Sequence, residues 1–484
     1  MTGSGTVGDP FIIEDVDDLQ AIQDDLTAYY ELGGDIDASA TSGWNAGAGF
    51  IPISYFQGNF DGKGFTITGL FIDKSGTAGL FNQIDTTLNI KDVTLASVDI
   101  TGTSAVGALA YIIWDGIVSG CHVSGTVTGG NNTGGLFGEY QADSPSTVSD
   151  CSSSVVVAGG TQTGGLIGAL ANASGTITGC SATGSVSGSA RVGGFVGRHL
   201  SGGASSTITQ CYATGNVTTT SGSVGGFVGQ MDGNATGGII TQSYADGNVL
   251  STGGEDIGGF VGYFQYVDST HKIQDCYCRG NVSGVDDVGG FAGETDGDIT
   301  GGNIDNCYST GTVTASGSGE GGFCATRFAP KDDITNCFWD TESSGEATSD
   351  GGTGKTTDQM QTEATFTDAG WDFSTIWLMA GYPTLLAFAV LVPSGYLWQE
   401  GPFIYFGTED GFRGRYNPPL TVSGSEDPGY LWTEGTELNV IDSAGDERAE
   451  EGTATGDTGP EGTAFIEGSE LHYLDETAGA ERTH

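Results

Sequence analysis

The sequence predicts an all-β chain: a parallel β-helix (β-solenoid) of about nine ~30-residue rungs, with an N-terminal capping helix, a C-terminal aromatic cap and a small β-hairpin module. Three observations carry this reading. The phrase GGLFG at Gly134 returns as GGLIG at Gly164, GGFVG at Gly193, Gly225 and Gly258, GGFAG at Gly289 and GGFCA at Gly321, in steps of 30, 29, 32, 33, 31 and 32 residues. A second phrase follows at the same period: CSSSVVV from Cys151, CSATGSV from Cys180, CYATGNV from Cys211, SYADGNV from Ser243, CYCRGNV from Cys276 and CYSTGTV from Cys307. Between the glycines, short runs alternate apolar and polar residues, the period of a half-buried strand.

Residues 1–54 read as the N-terminal cap. Leu19, Ile22 and Leu26 fall at helical spacing behind an Asp-rich first turn, which predicts a short amphipathic helix over the open strand edges of the first rung. The solenoid itself spans 55–345, with weaker copies of the first phrase at Ala78 (AGLFN) and Val106 (VGALA) and a turn at Asp61-Gly62-Lys63-Gly64. In CYATGNV the alternation sends Cys211, Ala213, Gly215 and Val217 inward and Tyr212, Thr214 and Asn216 outward. The paired glycines permit a tight corner, and the Phe or Val after them fills the interior. Nine rungs at the strand spacing give a rod of ~43 Å, right-handed if it follows the common winding.

Residues 346–392 form the C-terminal cap, where Met360, Phe366, Trp371, Phe373, Ile376 and Trp377 suit a plug over the last rung. Residues 393–484 carry a different repeat, beginning GYLWQEG at Gly395, GYLWTEG at Gly429 and TAFIEG at Thr463, each reading as two short strands about a Glu-Gly turn and a further turn ending in Arg415, Arg448 or Arg482. Lone hairpins are marginal, so this module is expected to oligomerise or attach to a larger body.

Asp and Glu number 61 against 14 Lys and Arg, a formal charge of -47 spread over the whole chain. Such a surface repels nucleic acid and anionic membrane. At molar salt the screening length falls to about 3 Å and self-repulsion fades, so the composition points to a halophilic source. Seven of the nine cysteines (Cys121, Cys151, Cys180, Cys211, Cys276, Cys307 and Cys337) share one place in the second phrase, where Ser243 also stands. A place that accepts Cys or Ser needs a small inward side chain, and stacked neighbours point side by side, so the expectation is a ladder of buried reduced thiols. The opening MTGSGTVGDPFIIEDVDDLQ lacks the basic start and apolar run of a leader, and the best apolar run, 385–392, is eight residues, so neither a signal peptide nor membrane insertion is expected.

The segments FDGKGFTITGL, GGFVG, CYATGNV and GWDFSTIW with GYP at Gly381–Pro383 resemble proteins carrying the GLUG motif, found in surface proteins of bacteria and archaea and in filamentous adhesins. The resemblance covers about residues 8–388 and implies a β-solenoid without catalytic residues; the departures at Ala78 and Val106 make the early rungs less regular. The hairpin units look like small hairpins of tailed-virus structural proteins.

The outward column Tyr212, Tyr244, Tyr277 and Tyr308, continued by Phe338, could present rings to sugars or stack on itself to stiffen the sheet. With Arg198 and Tyr263 these tyrosines are the candidate surface-binding residues. Carbohydrate-cleaving β-helices use paired carboxylates, for which Glu139, Glu294 and the loop acids Asp232, Asp256, Asp268 and Asp296 are candidates. Glu139 and Glu294 stand five rungs apart, about 24 Å, too far to share one sugar bond, so no catalytic residue is expected. His199 and His271 read as solvated, no cofactor is expected, and Asp296-Gly297-Asp298 or Asp332-Asp333 could hold a structural cation without matching a Ca²⁺ loop.

The function these features predict is that of a non-enzymatic virion structural protein of a halophilic tailed virus: a tail fibre or spike that contacts the host, or a capsid turret or decoration. The alternatives are an extracellular cell-surface adhesin of a haloarchaeon and a polysaccharide depolymerase. Expected partners are further copies of the chain, a trimer first, other virion proteins, and a host surface glycan or surface-layer glycoprotein.

Overall fold

Each pair of phrases folds into one coil, and the coils stack in parallel. The computed structural model describes residues 1–389, apart from 143–145, 172–173, 202–205, 234–236, 267–269, 298–303 and 329–333, and beyond 389 only the strands named below. In a representative coil Val224–Gly225 joins a seven-stranded sheet, Val228–Gly233 and Ile239–Thr241 join a twenty-stranded sheet, and Tyr244–Ala245 and Val249–Ser251 form the remaining face. The register is the one the repeat implies: Gly134, Gly164, Gly193, Gly225, Gly258, Gly289 and Gly321 are successive partners. The result is an all-β solenoid of about nine turns with few helices.

The glycine pair is required by backbone proximity. A Cβ on Gly193 would lie 2.0 Å from the Val196 carbonyl oxygen of its own corner, and one on Gly194 would lie 2.0 Å from the Gly226 oxygen of the next coil. The Phe that follows points inward: Phe195, Phe227, Phe260, Phe291 and Phe323 are fully buried and stack at 4.7–4.9 Å between ring centroids. A second corner precedes the cysteine column. Asp92, Gly120, Asp150, Gly179, Gln210, Gln242, Asp275, Asn306 and Asn336 all adopt φ between 47° and 64°, a left-handed ladder that Gly, Asn and Asp tolerate best. Their side chains bond along the stack, as in Gln210 Nε2 to Gln242 Oε1 (3.1 Å) and Asn306 Nδ2 to Asp275 Oδ1 (3.2 Å).

All nine cysteines are buried and free. The backbone N–H of Cys121, Cys151, Cys180 and Cys307 each donates to the sulfur one coil onward at 3.4 Å, and Cys211 N–H donates to Ser243 Oγ at 3.2 Å. Each thiol of the column donates in turn to the carbonyl two residues behind it, at 3.0–3.5 Å. The position thus needs a small group that both accepts and donates, which is why serine substitutes there.

At the N-terminus a helix spans Val16–Gln20 and a 3₁₀ turn Ala21–Asp24, with Asp15 capping the Asp18 N–H at 2.9 Å and Leu19 and Ile22 fully buried. Leu26 lies beyond the helix yet packs on the core. The helix joins two parallel strands, Phe11–Ile13 and Tyr29–Leu32, and so forms part of the first coil. The DGKG turn, with Lys63 at φ 53° and Gly64 at φ 80°, is a coil corner and not a hairpin: Asn59–Asp61 and Thr66–Thr68 pair in parallel with other coils on different faces.

The last coil is followed by Thr353–Lys355, which pairs with Phe338–Asp340, and by a segment that runs back along the outside of the solenoid. By contacts the chain divides into two units, Met1–Ala387 and Phe388–His484. In the second, each sequence repeat forms three antiparallel strands: Leu397–Glu400, Phe403–Gly407 and Arg413–Tyr416; Tyr430–Glu434, Glu437–Ile441 and Glu447–Ala449; Thr463–Glu467, Glu470–Asp475 and Ala480–Thr483. The second and third repeats join through Tyr430 opposite Phe465 into a six-stranded sheet. Among the described residues no helix is long and apolar enough to cross a membrane.

Candidate functional surfaces

The tyrosine column is real, and its rings stack on one another. Centroids are 5.1 Å apart for Tyr212–Tyr244, 5.0 Å for Tyr244–Tyr277 and 5.2 Å for Tyr277–Tyr308, with planes within 13°. Tyr212 and Tyr244 are half-buried, whereas Tyr277 and Tyr308 are 2% and 0% exposed, which removes them from the candidate binding surface. The cause is the C-terminal segment, expected as a plug over the last rung. Its Phe366, Trp371 and Trp377 lie against Tyr308, with Phe366 5.4 Å from Phe338 and Trp377 6.3 Å from Tyr277. Trp377 Nε1 donates to Asp275 (3.3 Å) and Trp371 Nε1 to the Asn336 carbonyl (2.9 Å).

Arg279 latches that segment down. Its guanidinium sits 4.3 Å over the Tyr277 ring and donates to Tyr308 Oη (2.6 and 2.9 Å), to the Pro383 carbonyl (2.9 Å) and to Thr384 Oγ1 (3.0 Å). Burial of the guanidinium is offset by this ring of acceptors, and the group stays charged.

The second candidate surface is a polar stripe beside the glycine corner. Glu139, Ala169, Arg198, Gln230, Tyr263, Glu294 and Thr326 are successive partners in one outward column. Arg198 forms a two-pronged pair with Asp232 (2.7 and 3.1 Å), and Tyr263 Oη donates to Asp296 (3.3 Å). Glu139 accepts from Asn132 at 3.3 Å. Asp268, Asp298, Asp332 and Asp333 lie outside the described residues.

Further along the stripe Asp256, Asp287 and Glu294 bring carboxylate oxygens within 4.8 Å of one another. Burial and the neighbouring carboxylates push Glu294 up to about 8 and Asp256 up to about 6, so the group retains a proton near neutral pH. The all-oxygen set has the chemistry to hold a hard cation, and two of its members already accept other hydrogen bonds, Asp256 from Ser223 (3.0 Å) and Asp287 from Thr326. The spacing is tighter than the ~5–9.5 Å that glycosidase pairs keep around a sugar bond.

His199 and His271, expected in solvent, are both fully buried. Strand parity is the reason: Arg198 faces out, so His199 faces in, in the column of Leu170 and Met231. His199 Nε2 bonds Ser206 Oγ at 2.6 Å, and burial drives its pKa down to about 3.

Known proteins match this chain over several stretches. The model for the N-terminal region of the M26 IgA1-specific metallo-endopeptidases matches residues 14–125, and the GLUG motif matches 188–218 and 286–314. Halomucin of Haloquadratum walsbyi (strain DSM 16790 / HBSQ001) is 43% identical over 160 residues, which are 30% of this chain and 2% of halomucin, so the chain spans only a small part of that protein's length. Among solved structures, an immunoglobulin A1 protease assignment from Bacteroides ovatus aligns at 19% identity and TM-score 0.34, covering 80% of this chain and 95% of that one. An IgA1 protease aligns at 15% identity and TM-score 0.36, covering 91% of this chain and 34% of that one.

Proposed function

We propose that this chain is a non-enzymatic, rigid solenoid of an extracellular cell-surface protein in a halophilic organism, holding surface loops out from the cell as an adhesin does. The observation that carries the reading is the 43% identity to a halomucin segment, which joins an acidic GLUG-motif solenoid to a protein of a halophile. A charge of -47 on a stacked fold is consistent with a life in concentrated salt. The partner in that role is a glycan or a surface-layer glycoprotein, and the hairpin module provides oligomerisation or attachment.

Two other readings have less support. The tail-fibre or turret reading draws on the acidity of the chain together with the hairpin units, and the similarity to halomucin favours the cell surface over the virion. A peptidase reading would follow from the M26 match, but that match is to the N-terminal region of the family, and the five histidines of this chain are nowhere four residues apart as in a zinc-peptidase helix. Mass spectrometry of washed cell envelopes and of density-purified virions from a high-salt culture tests the proposal. Recovery from uninfected envelopes supports it. Recovery from particles alone would overturn it in favour of the virion.

A further inference from the structure

Three asparagines on the outer faces of the solenoid share one arrangement. Asn131, Asn216 and Asn281 are exposed, and each opens an Asn-x-Ser/Thr triplet: Asn131-Asn132-Thr133, Asn216-Val217-Thr218 and Asn281-Val282-Ser283. In each, Oδ1 accepts a backbone N–H of the following coil: Thr161 (3.2 Å), Asn248 (3.0 Å) and Thr312 (3.0 Å). An N–H can be met only by the carbonyl side of the amide, so the stack fixes which atom is oxygen and turns Nδ2 the other way. Among the described residues Nδ2 of none of the three donates a hydrogen bond within the protein. Two further triplets, at 172–174 and 234–236, include residues outside those described.

We propose that Asn131, Asn216 and Asn281 are N-glycosylation sites, each bearing an oligosaccharide on Nδ2. The inference rests on the cell-surface reading, since the donor is met on the way out of the cell. The co-substrate is a lipid phosphate- or lipid pyrophosphate-linked oligosaccharide. Nδ2 attacks C1 of its first sugar, the C1–Nδ2 bond forms as the C1–O bond to phosphate breaks, the lipid phosphate leaves, and one Nδ2 proton passes to a base. The product keeps the amide carbonyl, so the Oδ1 bond to the next coil survives, and the remaining N–H and the glycan point to solvent. Asn216 and Asn281 stand two coils apart in one column, roughly 9.6 Å at the strand spacing, so two glycan chains fit side by side.

The column contains its own control. Asn248 lies between them with the same geometry, its Oδ1 accepting Asn281 N–H at 2.9 Å, but Asn248-Val249-Leu250 lacks the hydroxyl. Glycopeptide mass spectrometry on the full chain purified from its native cells should find sugar mass on the Asn131, Asn216 and Asn281 peptides and none on Asn248. Thr218→Ala and Ser283→Ala should each abolish the modification at its own site only, while Thr218→Ser retains it. Unmodified Asn131, Asn216 and Asn281 peptides in envelope-located protein would overturn this proposal and leave the surface reading standing. Absence of the chain from envelopes would overturn the surface reading, and unmodified peptides in whichever fraction then holds the chain would overturn this one as well. Sugar on Asn248 equal to that on its neighbours would also overturn the assignment.

Discussion

Replacing Arg279 with alanine should open the C-terminal segment without unfolding the solenoid. The guanidinium gives two charge-assisted hydrogen bonds to that segment, at the Pro383 carbonyl and Thr384 Oγ1, and stacks on Tyr277. Bonds from a charged donor contribute about 1.5–3 kcal/mol each, and the stacking about 1 kcal/mol more. Tyr308 Oη, which also donates to the Pro383 carbonyl at 2.5 Å, remains and keeps part of the contact. A loss of about 3 kcal/mol in closure is therefore expected, or roughly 100-fold more frequent opening at 1.4 kcal/mol per tenfold. Native-state hydrogen exchange in high salt reads this directly: amides of 371–386 should exchange about 100-fold faster, while those of 193–233, several coils away, hold their rates. Unchanged exchange at 371–386 would refute the latch. So would equal acceleration at 193–233, which would make Arg279 a part of the general core.

Gly194→Ala should cost more than a surface change can explain, above about 3 kcal/mol, because the new Cβ meets a backbone oxygen at 2.0 Å; a melting curve within a degree of the parent would contradict the corner geometry. The nine thiols should resist an alkylating reagent in the folded protein and all react after denaturation, checked by mass; a disulfide in any pair would show as missing thiols. His199 has a folded pKa below its unfolded value, so its contribution to stability is complete above about pH 6.5 and is lost as pH falls toward 3. At pH 4 this is roughly 3 kcal/mol, and His199→Leu, which copies Leu170 one coil back, should flatten the acid limb of the denaturation profile. Glu294 and Asp256 have the opposite sign: folded pKa values raised above unfolded ones favour the fold at low pH, and that contribution fades as pH rises above about 4, being lost by about 6 for Asp256 and about 8 for Glu294. Asp287→Asn should reduce the slope of stability against pH in that window, and an unchanged slope would contradict the cluster.

The columns were legible in the sequence because a constant period is a register. Aligning GGLFG with GGFVG already places Glu139, Arg198, Tyr263 and Glu294 in one outward line, and aligning CSATGSV with CYATGNV places the cysteines in another. The burial of Tyr277 and Tyr308 was not legible, because it depends on Phe366, Trp371 and Trp377, roughly 60 to 100 residues further along the chain in a segment with no repeat to fix its path. The burial of His199 was within reach: counting from outward Arg198 sends the next side chain inward, whatever its polarity. The carboxylate group lay between these cases. Asp256 and Asp287 stand at the same offset before successive glycine pairs, and Glu294 closes on them only because the corner between the pair and the following strand brings two columns together.

In-register stacking also bears on the charge. Side chains in one column repeat at about 4.8 Å, where two like charges in water repel by about 0.9 kcal/mol. With 61 acids the fold has two ways to live with this. It can keep charges out of the columns, as it does with the neutral run Asn216, Asn248, Asn281 and Thr312, in which each asparagine Oδ1 accepts the backbone N–H of the next member. Or it can rely on salt, since at a screening length of about 3 Å a 4.8 Å repulsion drops several-fold. Acids do meet in register on successive coils, as at Glu31 opposite Asp61 and Asp85 opposite Asp115. In the carboxylate group near the glycine corner, burial and the neighbouring carboxylates raise Glu294 and Asp256, which answer repulsion by holding a proton more readily. In that uncharged run the exposed Nδ2 groups of Asn216, Asn248 and Asn281 therefore remain available on the outer face, and only the first and third open an Asn-x-Ser/Thr triplet.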